Sequence, residues 1–294
     1  MPELPEVETV RKGLQELLPG LQVKRVKHDW PKGFPNTPAD IKNFLIGATV
    51  AQVRRRAKVL LIDLSSDYTL VCHLKMTGQM VFVAPSVRFG AGHPNDSLVH
   101  DLPDKSTRVT LEFTNGSHLF FNDQRKFGWM KLYPTIEVLN IAFMLKVGPE
   151  PLEADFTPEV FFDRLQRRKN TNIKAAILDQ TVLAGVGNIY ADESLWGAKL
   201  HPTTLVKNIS KQQIALLHKE LQFVLRLAIE QGGSSNHTYV NAEGKKGSYM
   251  HFARVFRREG QECPRCGAVI EKSRVAGRGT HTCPVCQVPF KVLV

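Results

Sequence analysis

Residues 4–18 place Val7, Val10, Leu14, Leu17 and Leu18 at helical spacing, and Pro19-Gly20 ends the run. The spacing predicts one amphipathic helix whose apolar face docks on a core, fixing the N-terminus instead of leaving it to fray. From about residue 21 to 133 the period shortens. VKRVKH, TVAQVRR, VLLIDL, TLVCHLKM, MVFVA, RVTLEF, HLFFND and WMKLY are short runs rich in β-branched and aromatic residues. Turn residues separate them, and Asn115-Gly116 between two of the runs is a strong hairpin signal. Such strands predict an all-β sandwich or flattened barrel. Residues 84–106 interrupt them with Pro, Gly, Asp and Ser and no clear period, so a mobile or functional loop is expected there.

After Gly148-Pro149-Glu150-Pro151 the period becomes helical. Thr157-Pro158 reads as a capped start with proline at the first helical position. Ser210 and Gln213 form a capping-box pattern ahead of Ile214, Leu217, Leu221, Val224, Leu225 and Ala228, and Gly232-Gly233 ends that helix. Residues 234–250 are polar and Gly/Lys-rich, and read as a flexible loop. The expected divisions are a β domain over 1–135, a linker over 136–156, a helical domain over 157–250 and a cysteine-bearing module over 251–294. The fold class is α+β and multidomain.

Composition narrows the setting. No apolar run approaches the 18 or so residues of a membrane span, and Pro2, Glu3, Pro5 and Glu6 stand where a signal peptide needs positive and apolar residues. Four of the five cysteines fall in two C-x-x-C pairs, unlike a secreted disulfide framework. The expected compartment is the cytosol, at the nucleoid if DNA is the partner. A net charge of +11 makes nucleic acid the leading partner, because basic surfaces release counterions from phosphate backbones.

The strongest chemical signal is Cys263-Pro-Arg-Cys266 followed by Cys283-Pro-Val-Cys286. Two such turns supply four thiolates to one tetrahedral Zn²⁺, a closed and therefore structural site. Between them, residues 273–282 read as a basic hairpin tip that exposes Arg274 and Arg278. At the other end of the chain, loss of Met1 would leave Pro2 as a secondary amine beside Glu3, although proline also suits a plain helix start. Lys58 opens an apolar strand, where a strand-end charge is the commoner reading. Met76 in HLKMTG suits a core as well as a surface wedge. Arg125 and Phe127 occupy a turn bounded by Asp123 and Gly128, and an apolar wedge beside a basic residue suits an opened base stack. Gly185-Val186-Gly187 precedes a helix start near Asn188, a phosphate-binding arrangement strengthened by Lys169 and Lys174 on the same basic segment.

Together PELPEVET, RRRAK, HLKMTG, DQRKFG, LDQTVLAGVGNIYADESLW and GRGTHTCPVCQ closely resemble, in order, the motifs of the bacterial formamidopyrimidine-DNA glycosylase (8-oxoguanine DNA glycosylase) family. The PELPE start looks more like this branch than the related endonuclease VIII branch, which has glycine where Leu4 stands. The resemblance implies an N-terminal β-sandwich with an N-terminal helix, a helix-two-turn-helix domain and a C-terminal zinc-finger β-hairpin holding one Zn²⁺. It also implies a monomer acting on double-stranded DNA that contains oxidised purines or abasic sites. By position, Pro2 matches the Schiff-base nucleophile, Glu3 and Lys58 the proton donors, and Arg278 the residue of δ-elimination. Arg125 and Lys169 match DNA-binding positions, and His73 and Asn188 match phosphate contacts. Met76, Arg125 and Phe127 match the residues that fill the gap left by a flipped nucleotide, and Lys174 a lysine near the lesion. Departures are Gln124 before Arg125-Lys126 in place of proline before paired arginines, Ser106 where a DNA-contacting histidine is expected, with His93 and His100 farther back as the alternatives, and a longer 84–106 segment.

Overall fold

Val7, Val10, Leu14 and Leu18 are fully buried, as the helical spacing requires, and helix α1 runs Leu4–Leu17. The nine strands that follow are β1 (Val23–His28), β2 (Val50–Arg56), β3 (Val59–Leu64), β4 (Tyr68–His73), β5 (Gly78–Ala84), β6 (Val87–Gly92), β7 (Thr107–Phe113), β8 (His118–Asp123) and β9 (Trp129–Pro134). They form two antiparallel sheets, in the orders β1-β7-β8-β5-β6 and β2-β3-β4-β9. Successive side chains on a strand face opposite ways. Val53, Leu60, Ile62, Leu70 and Cys72 from one sheet therefore meet Met80, Phe82, Leu111, Phe113 and Phe121 from the other, with α1 packed on the same core. The fold is a sandwich. All of β3 is buried because Val59 and Leu61, on its other face, pack with Val71, Val138 and Met144.

Residues 84–106 are not the structureless loop that their composition suggests. β5 turns directly into β6, with Ala84 opposite Val87 and Gln79 opposite Gly92. Gly90, Ala91 and Gly92 are too small to display an alternating pattern, which hides the strand in the sequence. Beyond β6, Leu98 and Leu102 pack against Val81, Val83 and Phe120 on the outer side of the five-stranded sheet. Arg88 donates to the carbonyls of Leu98 and His100, and the Ser106 hydroxyl joins Ser97 and Asp104.

The structure, a computed structural model, describes residues 1–93, 95–234 and 249–289. It divides into two compact units: Met1–Leu145 with Ile229–Tyr249, and Lys146–Ala228 with Met250–Val294. In the second, Thr157 caps the Pro158–Gln166 helix by accepting from the Val160 N–H at 3.3 Å. Ser210 and Gln213 make both bonds of a capping box, at 3.0 and 3.2 Å, ahead of the Lys211–Glu230 helix. The Asn188–Gly197 helix is buried from Tyr190 to Gly197, so it serves as an internal post on which other segments are hung. The hairpin of β10 (Glu271–Val275) and β11 (Arg278–Thr282) completes this unit. The expected loop 234–250 lies outside the described residues except for Ser234, Tyr249 and Met250. Among the described residues no helix is long and apolar enough to cross a membrane.

Candidate active site and zinc centre

Glu3 is the N-cap of α1, and Pro5 lies in the helix's first turn, where a missing N–H costs nothing. The Glu6 carboxylate accepts the Glu3 N–H at 2.8 Å through one oxygen and the Ser234 N–H at 2.9 Å through the other. Pro2, Glu3 and Glu6 are all buried, so the start of the chain is pinned. Burial holds the α-amine of Met1 below its usual pKa; the carboxylates of Glu3 and Glu6 oppose this, while the charges of Lys58 and Arg125 reinforce it.

Lys58 lies in the two-residue turn joining β2 to β3, after Ala57 in the left-handed conformation at φ 53°. The Arg55 guanidinium reaches the Ala57 carbonyl at 2.8 Å and Glu8 of α1 at 3.0 Å, tying this turn to the helix. The Lys58 side chain is thereby set near the N-terminus and is 5% exposed. His73 ends β4 and is also buried. Its Nδ1 accepts the Lys75 N–H at 3.1 Å, which leaves the proton on Nε2. Burial, helped by the charges of Lys75 and Lys58, lowers its pKa to about 3, so the ring is neutral at physiological pH.

Two loops then come together through one carboxylate that the sequence motifs do not single out as functional. Buried Asp123, at the end of β8, accepts the Thr77 hydroxyl and the N–H groups of Arg125 (3.2 Å), Phe127 (2.8 Å) and Gly128 (2.6 Å). The Thr77 hydroxyl in turn accepts the Arg125 N–H at 3.1 Å. A Cβ at residue 128 would stand 2.6 Å from the Phe121 ring and 3.1 Å from the Asp123 carboxylate, so only glycine fits. Partly buried Met76, exposed Arg125 and Phe127 (53% exposed) are thus presented from two fastened turns, with the Arg125 guanidinium 4.8 Å from the Phe127 ring centre.

In the second unit the Asn188–Gly197 helix starts after Gly187. The Asn188 amide donates to the Gly279 carbonyl at 2.9 Å, one residue beyond Arg278. Ala276 (φ 50°) and Gly277 (φ 73°) make the two-residue turn between β10 and β11, a geometry that matches strand twist. Arg274 and Arg278 are exposed on that hairpin, as the sequence predicts. Lys169 is exposed as well. Lys174 is not. Its ammonium is fully buried, 2.6 Å from Asp192, 2.7 Å from the Thr280 hydroxyl and 3.1 Å from the Gly279 carbonyl, so it braces the hairpin from behind. The neighbouring Glu193 carboxylate accepts the N–H groups of Arg254, Val255 and Phe256 at 2.8 to 3.1 Å, and burial raises its pKa against those bonds.

The Sγ atoms of Cys263, Cys266, Cys283 and Cys286 all lie within 4.8 Å of one another. A Zn–S bond of about 2.3 Å gives a tetrahedral S–S edge of about 3.8 Å, so this cage fits the metal. The Trp196 indole N–H donates to the Cys263 sulfur at 3.4 Å, and the Arg265 guanidinium lies 3.8 Å from the centre of the same indole. Trp196 therefore anchors the zinc module to the buried helix. ESLW is part of a motif in the sequence, but only the fold assigns its tryptophan this contact.

A β-sandwich with a pinned N-terminus, a helical unit and a four-cysteine hairpin module together define the architecture of a zinc-finger DNA glycosylase. The chain belongs to the formamidopyrimidine-DNA glycosylase family: it matches that family's N-terminal domain over residues 1–130, its H2TH domain over 147–240 and the zinc finger found in FPG and IleRS over 260–288. The formamidopyrimidine-DNA glycosylase of Ligilactobacillus salivarius is 40% identical over 98% of this chain and 99% of its own, and that of Pediococcus pentosaceus 41% over the same shares. The Lactococcus lactis Fpg solved with DNA containing an abasic site superposes with a TM-score of 0.85 at 36% identity, covering 97% of this chain and 99% of that one. A glycine-to-proline variant of the same protein, solved with DNA containing Fapy-dG, gives 0.86 at 36%, covering 98% and 100%. The four cysteines hold one structural Zn²⁺, as the zinc-finger match and their spacing require.

Proposed function

We propose that the chain excises oxidised purines, 8-oxoguanine and formamidopyrimidines, from double-stranded DNA through a Schiff base on Pro2, then nicks the strand by β,δ-elimination. The observation that carries this reading is the pinned N-terminus, where Pro2 and Glu3 are buried and the buried Lys58 lowers the pKa of the Met1 amine by its charge. Removal of Met1 makes Pro2 nitrogen a secondary amine. An ordinary α-amine has a pKa of roughly 7.7–8.0, so a usable fraction is unprotonated at neutral pH, the form that attacks.

The Pro2 lone pair forms a bond to C1′ while the bond to the base breaks and the base leaves with the electron pair. The nitrogen loses its proton. The sugar ring opens with Glu3 delivering a proton to the ring oxygen, and the adduct becomes an iminium. The iminium acidifies C2′, whose proton leaves as the 3′ phosphate is expelled with Lys58 as proton donor. Loss of the 5′ phosphate follows, the step in which Arg278 has its role. His73, a neutral Nε2–H donor, and Asn188 contact phosphates, and Arg125 and Lys169 bind the backbone. The target nucleotide must leave the stack to be reached, and Met76, Arg125 and Phe127 fill the vacated space. The Zn²⁺ takes no part in bond-breaking; it holds the hairpin that carries Arg278.

The protein works as a monomer on chromosomal DNA in the cytoplasm. Product analysis tests the reaction: an 8-oxoguanine:cytosine duplex should yield free base and a one-nucleoside gap with phosphate at both ends. Free base with an intact strand would reject the lyase half of the proposal.

A further inference from the structure

The segment that departs from the family pattern builds a cavity of its own. Residues 101–103 and Arg88 close over the outer side of the five-stranded sheet and leave a space of about 280 Å³. That falls just below the roughly 300–1,000 Å³ usual for ligand pockets, which limits any occupant to about one nucleotide and excludes a longer strand. None of its lining belongs to the residues assigned to the reaction above.

The strand register explains the lining. Lys27 pairs with Thr110 and Thr110 with Phe120, while Glu112 pairs with His118 and His118 with Val83, so alternate positions of four strands share this face. His118 brings a ring to the lining, stacked on the buried Phe120 ring 5.6 Å away and 13° from parallel. Val83 and Leu102 supply apolar walls. Cations belong to the lining too. Arg88 is held by the carbonyls of Leu98 and His100 and has no carboxylate partner among the described residues. Lys27 has none either. Glu112 is already occupied by Lys24 at 2.9 Å and Arg25 at 3.5 Å, which leaves Asp101 as the uncommitted acceptor.

We propose that this cavity binds a guanine mononucleotide, with the base against His118, the phosphate at Lys27 and Arg88, and base N–H groups donated to Asp101. A planar ring matches the His118 imidazole, an anion matches two cations without acidic partners, and a carboxylate in the same lining favours a base edge rich in N–H donors. The inference stands apart from the glycosylase reading, since the same cavity exists whatever the chain does to DNA.

Calorimetric titration of the full-length zinc protein with guanosine 5′-monophosphate tests it. Saturable one-to-one binding is expected, weakened at least about tenfold by Lys27→Ala and by Arg88→Ala, as for loss of a charge-assisted hydrogen bond. Because Arg88 also braces residues 98–100, exposed Lys27 carries the test by itself. Asp101→Asn should reduce the preference for guanosine over uridine monophosphate. No saturable binding, equal binding by the Lys27 variant, equal affinity for uridine monophosphate, or inorganic phosphate binding as tightly as the nucleotide would each overturn the proposal.

Discussion

At the residue scale the chemistry divides into what adjacency reveals and what burial decides. Pro2 and Glu3 are legible because they are covalent neighbours at the terminus. His73 is legible as a position, but its protonation is not, since only the fold buries it and places Lys75 and Lys58 beside it. A neutral ring with its proton on Nε2 should persist on acidification, because the folded pKa is about 3. Nitrogen-15 NMR should therefore find no protonation of His73 between about pH 7.5 and pH 5, whereas an ordinary imidazole titrates there. The linked stability follows by sign. Between the unfolded value of about 6.5 and the folded value of about 3 the unfolded chain binds the extra proton, so this residue lowers stability as pH falls through that window. Lys174 is legible in the sequence as a basic residue on a basic segment and, by resemblance, as a lysine near the lesion, but its burial is not. Its complete burial against Asp192 predicts that Lys174→Ala strands a buried carboxylate and costs about 3–5 kcal/mol, measurable by denaturant unfolding. A loss near zero would contradict the bracing role.

At the element scale the strands were readable wherever side chains alternate in size, and β6 was not, because Gly90, Ala91 and Gly92 give no contrast between faces. The turn bearing Arg125 and Phe127 was readable from its residue types. What fixes it was not, because Asp123 reaches Thr77, 46 residues away, as well as its own turn. Asp123→Ala should release both loops together and leave several N–H groups without their acceptor. We expect excision from a duplex, which requires the nucleotide to be flipped, to fall at least about tenfold. Cleavage of an abasic site in single-stranded DNA, where no stack must be opened, should fall much less. Equal losses on the two substrates would show that the loops do not act as a wedge.

At the scale of the whole molecule each compact unit gathers segments far apart in the chain, which no local period can announce. Residues 229–234 and Tyr249 group with Met1–Leu145, and the bond from Ser234 to Glu6 spans 228 positions. The zinc module was the reverse case: two C-x-x-C pairs state their purpose in sequence, and the four sulfurs gather as that spacing requires. Chelation should abolish DNA binding, since the Arg278 hairpin and Trp196 are organised around the same four sulfurs; binding retained in a metal-free sample would show the module to be dispensable. The central claim concerns the first amine of the processed chain. Protein lacking Met1, mixed with an 8-oxoguanine:cytosine duplex and borohydride, should form a covalent adduct that mass spectrometry places on Pro2. Pro2→Gly should keep lesion binding and lose most of that adduct. An adduct on another residue, or an undiminished yield in the Pro2 variant, would contradict the account.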